Sequence, residues 1–553
     1  MPTGAELFID SLEKLGIRTI FTLVGDHLNE ALTEAQRRGL QIIHMRHESG
    51  VTHAADAWGR MHRRPAVSLV TGGPGHTNSL TGIATAWQCC SPLIAVSGAP
   101  PSAMAGRQVF QVIDQVGMAA PVSKWAAQPA SAAHIPYYLG RAFREATSGR
   151  MGPVHLTIPV DLFAAKTDTA LPMPSPQPRP EMSPAAGETE RILALLGAAE
   201  RPVVIGGSGL WWADAGEELN RFLAATGLPY YDVTLARGMI TDARVEHMGY
   251  ADPALNKAVL RAFQEADLVL VLGKRLDYRL ALGGPRLFSP ETRFIQVDIH
   301  APELGLTRNL ELGVCADCKT TLGAMCREVE RRPLHPPPAW MERIRQYQRE
   351  WEEDLQRAAA DESLPIHPAA FFRVLKGCLP PDFLYSWDGG DFIHWGRALL
   401  PARKPGGWMR LGPLGTIGSA LPNAVAMQVA RPDTPVVTIT GDGSLGFYIA
   451  ELDTLVRHSL PVIIIVGNDA GWGLERELQA ELCQSNVACE LRPTRYDIVM
   501  KGFGGEGENI ERLDQVPAAV QRAFAARRPY LLNVNVRGAR SPFTQWQLAG
   551  KKG

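Results

Sequence analysis

Short runs of β-branched apolar residues alternate with stretches of helical periodicity along most of the chain. Two such runs, residues 435–440 and 462–466, flank residues 449–458, in which apolar positions recur with helical spacing. Apolar runs of this kind are typical of parallel strands that are buried on both faces. The alternation of the two patterns therefore predicts an α/β fold of doubly wound parallel sheets.

Two proline-rich segments interrupt the pattern and predict the domain boundaries. Residues 171–180 form the first segment, an extended connector in which proline alternates with other residues. Residues 331–338 form the second, and a charged helical arm follows at residues 340–359. We expect three α/β domains at residues 1–170, 185–332 and 360–540, which agrees with a usual domain size of about 100–200 residues.

Composition narrows the class of protein. Hydrophobic residues make up 45% of the 553 residues, and the net charge is −1, so no electrostatic feature favours nucleic acid or an anionic membrane surface. Apolar runs of about 18 residues, the length that spans a bilayer, are absent from the sequence. Residues 4–15 have amphipathic helical spacing with internal acids, unlike a secretory signal. We therefore expect a cytoplasmic protein that acts on a small molecule.

Polar side chains follow two neighbouring predicted strands. Asp442 lies in the Gly-Asp-Gly-Ser sequence of residues 441–444, and Asp469 lies in the Gly-Asn-Asp-Ala-Gly sequence of residues 467–471. The carboxyl ends of parallel strands are where open α/β sheets bind ligands. Side-chain oxygens among glycines suit Mg²⁺, which takes phosphate oxygens as further ligands, and the N–H groups of Gly443 and Ser444 favour a diphosphate.

This pattern resembles the diphosphate-binding motif of thiamine-diphosphate enzymes, which begins Gly-Asp-Gly and ends Asn-Asn at the same spacing. The resemblance covers essentially the whole chain, and it implies pyrimidine-binding, central and diphosphate-binding domains in that order. It also implies thiamine diphosphate and Mg²⁺ as cofactors, with Asp442, Asp469 and the backbone carbonyl of Gly471 as metal ligands. Asp469 replaces the usual second Asn, which adds a negative charge, so we expect a changed metal affinity.

The first domain carries the residues that the resemblance makes catalytic. Glu48 follows a strand-like run and precedes a helix, and in the family such a glutamate hydrogen-bonds N1′ of the aminopyrimidine and drives the ring to its imino form. Gly73 lies in a glycine turn that approaches the cofactor. His27 and Gln111 fall where some relatives place residues that face the substrate or border the active site.

The third domain supplies the remaining cofactor contacts that the resemblance implies. Ile417 stands at the position of the apolar wedge that bends thiamine diphosphate into its V shape, and the carbonyl of Gly415 accepts from the 4′-amino group. Gly390 and Asp391 belong to a loop that helps to bind the diphosphate. Trp472 follows the metal motif at a position that lines the pocket in related enzymes.

Local resemblances favour one branch of the family. Residues 111–121 and 451–457 resemble benzaldehyde lyase, and residues 466–472 and 485–489 resemble the second type of 2-hydroxyacyl-CoA lyase, including its Asn-Asp variant. We therefore predict a lyase that also runs as a carboligase, cleaving a 2-hydroxyacyl-CoA to formyl-CoA and an aldehyde, or a hydroxyketone to aldehydes. Acetolactate synthase is the alternative, because Arg279 matches an arginine of that enzyme, although Leu478 replaces its substrate-gating tryptophan.

Two further expectations follow from the resemblance. Residues 205–209 and Asp298 resemble places where relatives hold FAD or the ADP part of CoA, and an empty central domain is the alternative. The family holds its cofactor between the first domain of one chain and the third domain of another, which implies a homo-oligomer, either a dimer or a tetramer. A catalytically inactive partner protein is a different class of function, but the presence of Glu48, Asp442 and Ile417 gives it no support.

Overall fold

The computed structural model describes residues 1–176 and 181–551. Residues 177–180, the last four of the first proline-rich connector, lie outside the described residues. The described part contains three six-stranded sheets in which every paired strand is parallel to its neighbours. The predicted fold class is therefore confirmed, while the predicted domain boundaries stay predictions.

The N-terminal sheet contains apolar strands buried on both faces. Its strands are β1 (Thr19–Thr22), β2 (Gln41–His44), β3 (Ala66–Val70), β4 (Leu93–Ala99), β5 (Ala126–Ala127) and β6 (Pro153–Pro159). Its helices are α1 (Gly4–Lys14), α2 (Asn29–Arg37), α3 (Glu48–His62), α4 (Pro74–Cys89), α5 (Gln115–Ala119), α6 (Ile135–Thr147) and α7 (Val160–Ala164). The strand order is β2-β1-β3-β4-β6-β5. Strand order reverses between β1 and β3, so their carboxyl ends form a crevice suited to a ligand.

The strand order of the central sheet differs from that of the N-terminal sheet. Its strands are β7 (Pro202–Gly206), β8 (Tyr230–Asp232), β9 (His247–Tyr250), β10 (Leu268–Leu272), β11 (Arg293–Asp298) and β12 (Leu312–Cys315). Its helices are α8 (Glu188–Ala198), α9 (Ser208–Trp212), α10 (Gly216–Thr226), α11 (Ala258–Glu265) and α12 (Cys318–Arg331), and the long helix α13 (Pro338–Ala359) leads out of it. The order β12-β11-β10-β7-β8-β9 places the switch point between β7 and β10.

The C-terminal sheet repeats the winding of the first. Its strands are β13 (Leu384–Trp387), β14 (Trp408–Arg410), β15 (Val436–Gly441), β16 (Ile463–Asn468), β17 (Glu506–Ile510) and β18 (Tyr530–Asn535). Its helices are α14 (Pro368–Cys378), α15 (Asp391–Leu399), α16 (Ala420–Ala430), α17 (Asp442–Gly446), α18 (Glu451–Arg457), α19 (Gly473–Cys483), α20 (Tyr496–Gly502), α21 (Val516–Ala526) and α22 (Pro542–Lys551). The order β14-β13-β15-β16-β18-β17 puts the switch point between β13 and β15.

Helices α3 and α16 join the first and third sheets within one chain. Small residues of α3, among them Ala54 and Ala57, pack in one apolar cluster with Leu421, Val425 and Met427 of α16. All five side chains are fully buried or nearly so, and small residues at such a crossing allow close approach of the helices. The two sheets therefore form one body in which their ligand-binding crevices have fixed positions. None of the helices in the described ranges has the length and apolarity required to cross a membrane.

Candidate active site

A cavity of about 330 Å³ lies at the carboxyl ends of β13, β15 and β16, beside the switch point of the third sheet. Every residue of the third domain that the sequence analysis assigned to cofactor or metal binding lines it. These residues are Gly390, Asp391, Gly415, Ile417, Asp442, Gly443, Ser444, Asp469, Gly471 and Trp472. The structure thus brings ten separately predicted residues to one site, although their roles toward a cofactor remain predictions.

Asp442, which is buried, and Asp469, which is 16% exposed, form a pair of carboxylates that line this cavity. Gly441 is in register with Gly467, so Asp442 and Asp469 leave adjacent strands at nearly the same level. Burial, together with the charge of Asp469, raises the pKa of Asp442 to about 7. Burial also raises the pKa of Asp469 to about 6, against the opposing charge of Arg476. Two carboxylates that resist ionisation together are a natural site for a cation, which removes their repulsion.

The surroundings of this carboxylate pair suit a hard cation such as Mg²⁺. The N–H of Gly471 donates to Asp442 Oδ2 at 3.0 Å. Within the described residues, groups of three or more His, Cys, Asp and Glu side chains that could hold a metal are absent. A cation between Asp442 and Asp469 would therefore draw its other ligands from backbone, water or phosphate oxygens, as Mg²⁺ does.

Glycines shape the cavity wall beside the carboxylates. A Cβ at Gly443 would lie 2.9 Å from the ring of Trp472, closer than real contacts allow. A Cβ at Gly473 would collide with the carboxylate of Asp469. A side chain at either position would displace Trp472 or Asp469, so glycine at these positions lets both side chains lie directly against the backbone. A cradle of this kind fits a bound diphosphate.

Asp388 is a positioning residue that sequence reasoning did not select. It follows β13 directly and is completely buried. Its carboxylate accepts from the N–H of Gly418 at 2.9 Å, and burial raises its pKa to about 6. Gly418 has a φ of +85° and closes the loop that carries Ile417. Asp388 therefore fixes that loop, and its place at a strand end beside the switch point was the available signal.

Asp391 engages the C-terminal segment. Its Oδ1 accepts from the N–H of Ser541 at 3.1 Å and from Thr544 Oγ1 at 2.6 Å. Phe543, between these two residues, stacks on His394 with ring centroids 4.2 Å apart and lines the cavity. Asp391 thus holds α22 over one side of the site, in addition to lining the cavity itself.

The four predicted residues of the first domain gather elsewhere, around the turn at residues 71–75. Glu48 begins α3, and its Oε2 accepts from Asn78 Nδ2 at 2.9 Å. His27 Nδ1 lies 2.9 Å from Thr71 Oγ1, and burial lowers the pKa of His27. Gln111 lies directly against Gly73.

These four residues surround the switch point of the first sheet, and none of them lines the cavity of the third domain. The chain therefore carries two separate groups of candidate residues, one at each of two equivalent crevices.

Two further residues hold the first group in place. Gln115 Oε1 accepts from the N–H of Gly73 at 2.9 Å and its Nε2 donates to the carbonyl of Gly98 at 3.0 Å. Glu451 of α18 is fully buried and accepts from the N–H of Arg46 at 3.2 Å, immediately before the start of α3. Burial raises the pKa of Glu451 to about 7. Both residues lie in segments that resemble benzaldehyde lyase, residues 111–121 and 451–457, but the sequence did not predict these contacts because they join residues far apart in the chain.

Buried arginines line the wall between the cavity and the central domain. Arg279 pairs with Asp252 at 2.6 Å, whereas Arg397 contacts the hydroxyl of Tyr250 and the imidazole of His394, and Arg410 contacts the same hydroxyl. Burial and the neighbouring Arg410 lower the pKa of Arg397 to about 9. Within the described residues the Nε atoms of Arg397 and Arg410 lack a hydrogen-bond acceptor. The wall therefore carries excess positive charge.

A second cavity lies at the switch point between β7 and β10 of the central domain. Ser208, Gly209, Lys274 and Asp298 line it, and Arg279 and Arg410 face both cavities. A Cβ at Gly209 would lie 2.5 Å from Gly273, so close packing of two loops accounts for this glycine without a ligand. The predicted nucleotide residues thus do border a cavity, but its glycine turn serves the fold itself.

Family models match all three parts of the chain. The N-terminal TPP binding domain of thiamine pyrophosphate enzymes matches residues 2–118, the central domain matches residues 189–325, and the C-terminal TPP binding domain matches residues 388–534. The chain therefore belongs to the thiamine pyrophosphate enzyme family, and the resemblance found in the sequence is confirmed. It is an enzyme of carbon–carbon bond chemistry that uses thiamine diphosphate.

Curated relatives carry several names. The chain is 33% identical to a probable acetolactate synthase of Mycobacterium bovis, covering 96% of this chain and 95% of the relative. It is 29% identical to a 2-hydroxyacyl-CoA lyase of Arabidopsis thaliana, with 96% and 95% covered. It is 28% identical to the human 2-hydroxyacyl-CoA lyase 2, with 96% and 89% covered. These similarities establish the family and leave its particular reaction open.

Proposed function

We propose that the chain is a thiamine-diphosphate- and Mg²⁺-dependent lyase and carboligase. Its reaction is the reversible cleavage of a 2-hydroxyacyl-CoA to formyl-CoA and an aldehyde, or of a hydroxyketone to aldehydes. The observation that carries the cofactor assignment is the convergence of the ten predicted residues on one cavity with paired carboxylates in its lining. The Asn468-Asp469 sequence and the relatives named 2-hydroxyacyl-CoA lyase favour this branch.

Different residues of the cavity would hold different parts of the cofactor. Asp442, Asp469 and the carbonyl of Gly471 would hold Mg²⁺, and the backbone at Gly443 and Ser444 would meet the diphosphate. Gly390 and Asp391 border the same end of the cavity, while Gly415, Ile417 and Trp472 form its walls. When bound, thiamine diphosphate supplies a carbanion centre and an electron sink for cleavage beside a carbonyl.

Glu48 would hold the proton that activates the cofactor, with His27 and Gln111 beside the substrate. Glu48 does not line the cavity of its own chain, so we propose that a second copy of the chain supplies it in a homodimer or homotetramer. Light scattering combined with an activity assay tests this, because a monomer that turns over substrate would contradict it.

Condensation of 2-oxo acids is the second candidate function. The excess positive charge of Arg279, Arg397 and Arg410 suits a carboxylate substrate, and the relative named acetolactate synthase shares 33% identity. Leu478 lies on α19 where that enzyme has its gating tryptophan, which counts against this candidate.

The central cavity is a candidate site for ADP, the ADP part of CoA, or FAD. Lys274, Arg279 and Arg410 would meet phosphates there, and Asp298 stands at the end of β11 where a ribose hydroxyl is commonly bound. The absorbance spectrum of the purified protein identifies FAD directly. Calorimetric titration with ADP and with CoA separates the other two from an empty domain.

Mass spectrometry of products tests the reaction. Purified protein with thiamine diphosphate and Mg²⁺ is incubated in parallel with a 2-hydroxyacyl-CoA, with benzoin and with pyruvate. We expect formyl-CoA and an aldehyde from the first mixture. Benzaldehyde from the second alone would assign a hydroxyketone lyase, and acetolactate from the third alone would replace the proposal by the synthase.

A further inference from the structure

Arg476 occupies a fixed position beside the carboxylate pair. It lies in the first turn of α19, and its Nη2 is 2.6 Å from Asp469 Oδ2. Its Nη1 lies 3.5 Å from the carbonyl oxygen of Asp469 and 3.4 Å from Oε2 of Glu490. Glu490 is the more exposed partner, at 56% against 16% for Asp469. The ion pair with Asp469 is therefore the stronger of the two, because it is better shielded from water.

Two glycines pack closely against opposite sides of the Arg476 guanidinium. A Cβ at Gly471 would lie 2.8 Å from Nη1 of Arg476, and a Cβ at Gly538 would lie 2.9 Å from Nη2. Arg476 is only 20% exposed. Two glycine backbones thus enclose the side chain and direct it at Asp469, so the contact belongs to the built site.

The charges of Asp442, Asp469 and Arg476 show what the contact between Arg476 and Asp469 does. An Asp–Asn pair at positions 442 and 469 would carry one negative charge, whereas Asp442 and Asp469 carry two when both are ionised. Arg476 adds one positive charge and engages Oδ2 of Asp469, which leaves Oδ1 for a cation. We propose that Arg476 is the counter-charge of Asp469 and gives the Asp442–Asp469 pair the charge balance of an Asp–Asn pair at its cation and diphosphate site.

This inference rests on the proposed metal site. It predicts the direction in which the affinities for the cation and for the diphosphate change when Arg476 is replaced. A purely structural Arg476 would only lose affinity when replaced. A counter-charge predicts that Arg476→Gln binds a divalent cation more tightly and the diphosphate more weakly, since one positive charge is lost beside both. Asp469→Asn should show the opposite change for the cation, because a negative charge is lost and the exposed Glu490 then offsets the charge of Arg476 only weakly.

The test uses the full-length protein and four variants. Mn²⁺ binding in the absence of thiamine diphosphate is measured by electron paramagnetic resonance, and thiamine diphosphate binding at saturating Mg²⁺ is measured by calorimetry. The variants are Asp469→Asn, Arg476→Gln, their double variant and the control Arg540→Gln. Arg540 precedes α22 and pairs with Glu477 and Glu481 of α19, so the control removes a positive charge beside α19 without touching Asp469.

We expect Mn²⁺ affinity to fall about tenfold in Asp469→Asn and to rise about tenfold in Arg476→Gln, the scale of coupling between neighbouring charges. The double variant should return to within about threefold of the wild type, and Arg540→Gln should match the wild type. Thiamine diphosphate should bind Arg476→Gln about tenfold more weakly.

Three outcomes would overturn the inference. Weaker or unchanged Mn²⁺ binding in Arg476→Gln would make Arg476 structural, and so would additive losses in the double variant. If Arg540→Gln changed Mn²⁺ affinity as much as Arg476→Gln, general surface charge and not the Arg476–Asp469 pair would explain the change. In each case wild-type Mn²⁺ binding would leave the proposed metal site standing, whereas a wild-type protein that binds no Mn²⁺ would contradict the metal site and this inference together.

Discussion

Replacement of Glu451 by Gln should flatten the pH dependence of stability. Glu451 begins α18, is fully buried, and accepts from the N–H of Arg46 and from Thr454 Oγ1 at 2.6 Å. Arg457 of the same helix also faces it, and His47 donates a backbone N–H. Despite these partners, burial raises its pKa from 4.5 to about 7. The folded protein therefore holds a proton on Glu451 at pH values where the unfolded chain has released it.

This difference sets both the direction and the size of the effect. Because the folded state binds the extra proton, the free energy of unfolding falls as pH rises from about 4.5 to about 7 and is constant above that. At ~1.4 kcal/mol for each pKa unit, the wild type loses about 3 kcal/mol across this window. With an unfolding entropy of ~2.1 cal/mol/K per residue, that corresponds to about 8 °C for a domain of about 180 residues, or about 3 °C if the whole chain unfolds as one.

Calorimetric Tm values of the cofactor-free protein at pH 5, 6, 7 and 8 measure the effect. Because a scan from pH 5 covers about 2 of these 2.5 pKa units, we expect the Tm of Glu451→Gln relative to the wild type to rise by about 2–7 °C between pH 5 and pH 8. Asp453→Asn is the matched control on the same helix. Although burial opposes it, pairing with Arg457 and Arg46 holds the pKa of Asp453 below its ordinary value, so that group is ionised throughout this range. A difference in Tm between the wild type and Glu451→Gln that stays constant with pH would refute the reasoning.

Three substitutions test the site itself. Glu48→Gln should bind thiamine diphosphate normally yet lose exchange of the cofactor's C2 proton, measured by NMR, and wild-type exchange would remove Glu48 from its assigned role. Asp442→Ala should abolish Mg²⁺-dependent thiamine diphosphate binding in calorimetry, with unchanged affinity counting against the metal site. Gly443→Ala should weaken that binding about tenfold or more, because the overpacked Cβ pushes on Trp472 at a cost of ~1–3 kcal/mol, and normal binding would show that the turn is free to move.

The residues of the third domain that converge on one cavity could be picked out from the sequence because their signals are local. Strand-end acids, glycines that meet the backbone closely, and apolar runs can each be read within a few residues. Asp442 and Asp469 belong to adjacent strands, and adjacency of consecutive strands is the commonest outcome in a parallel sheet. Their convergence with Ile417 and Gly390 then follows from the winding of the sheet.

The supporting residues could not be predicted, because their partners are distant in sequence. Glu451 accepts from the N–H of Arg46 across most of the chain, and Gln115 accepts from the N–H of Gly73 although α4 and β4 lie between them in the sequence. Arg476 is seven residues from Asp469, but only the turn between β16 and α19 brings them into contact. A helix position occupied by Glu or Arg is ordinarily a solvated one, so composition gives no reason to single these residues out.

The equivalent winding of the first and third sheets explains why both groups of candidate residues exist in one chain and yet stay apart. Each group occupies the switch point of its own sheet. Packing of α3 against α16 fixes the sheets so that Glu48 is excluded from the cavity that holds Asp442. Glu451 strengthens that arrangement, because it joins the start of α3 to α18, a helix between Asp442 and Asp469 in the sequence. If Glu48 activates the cofactor as proposed, a complete site would require a second copy of the chain, and the proposed oligomer would then be necessary for the catalytic chemistry.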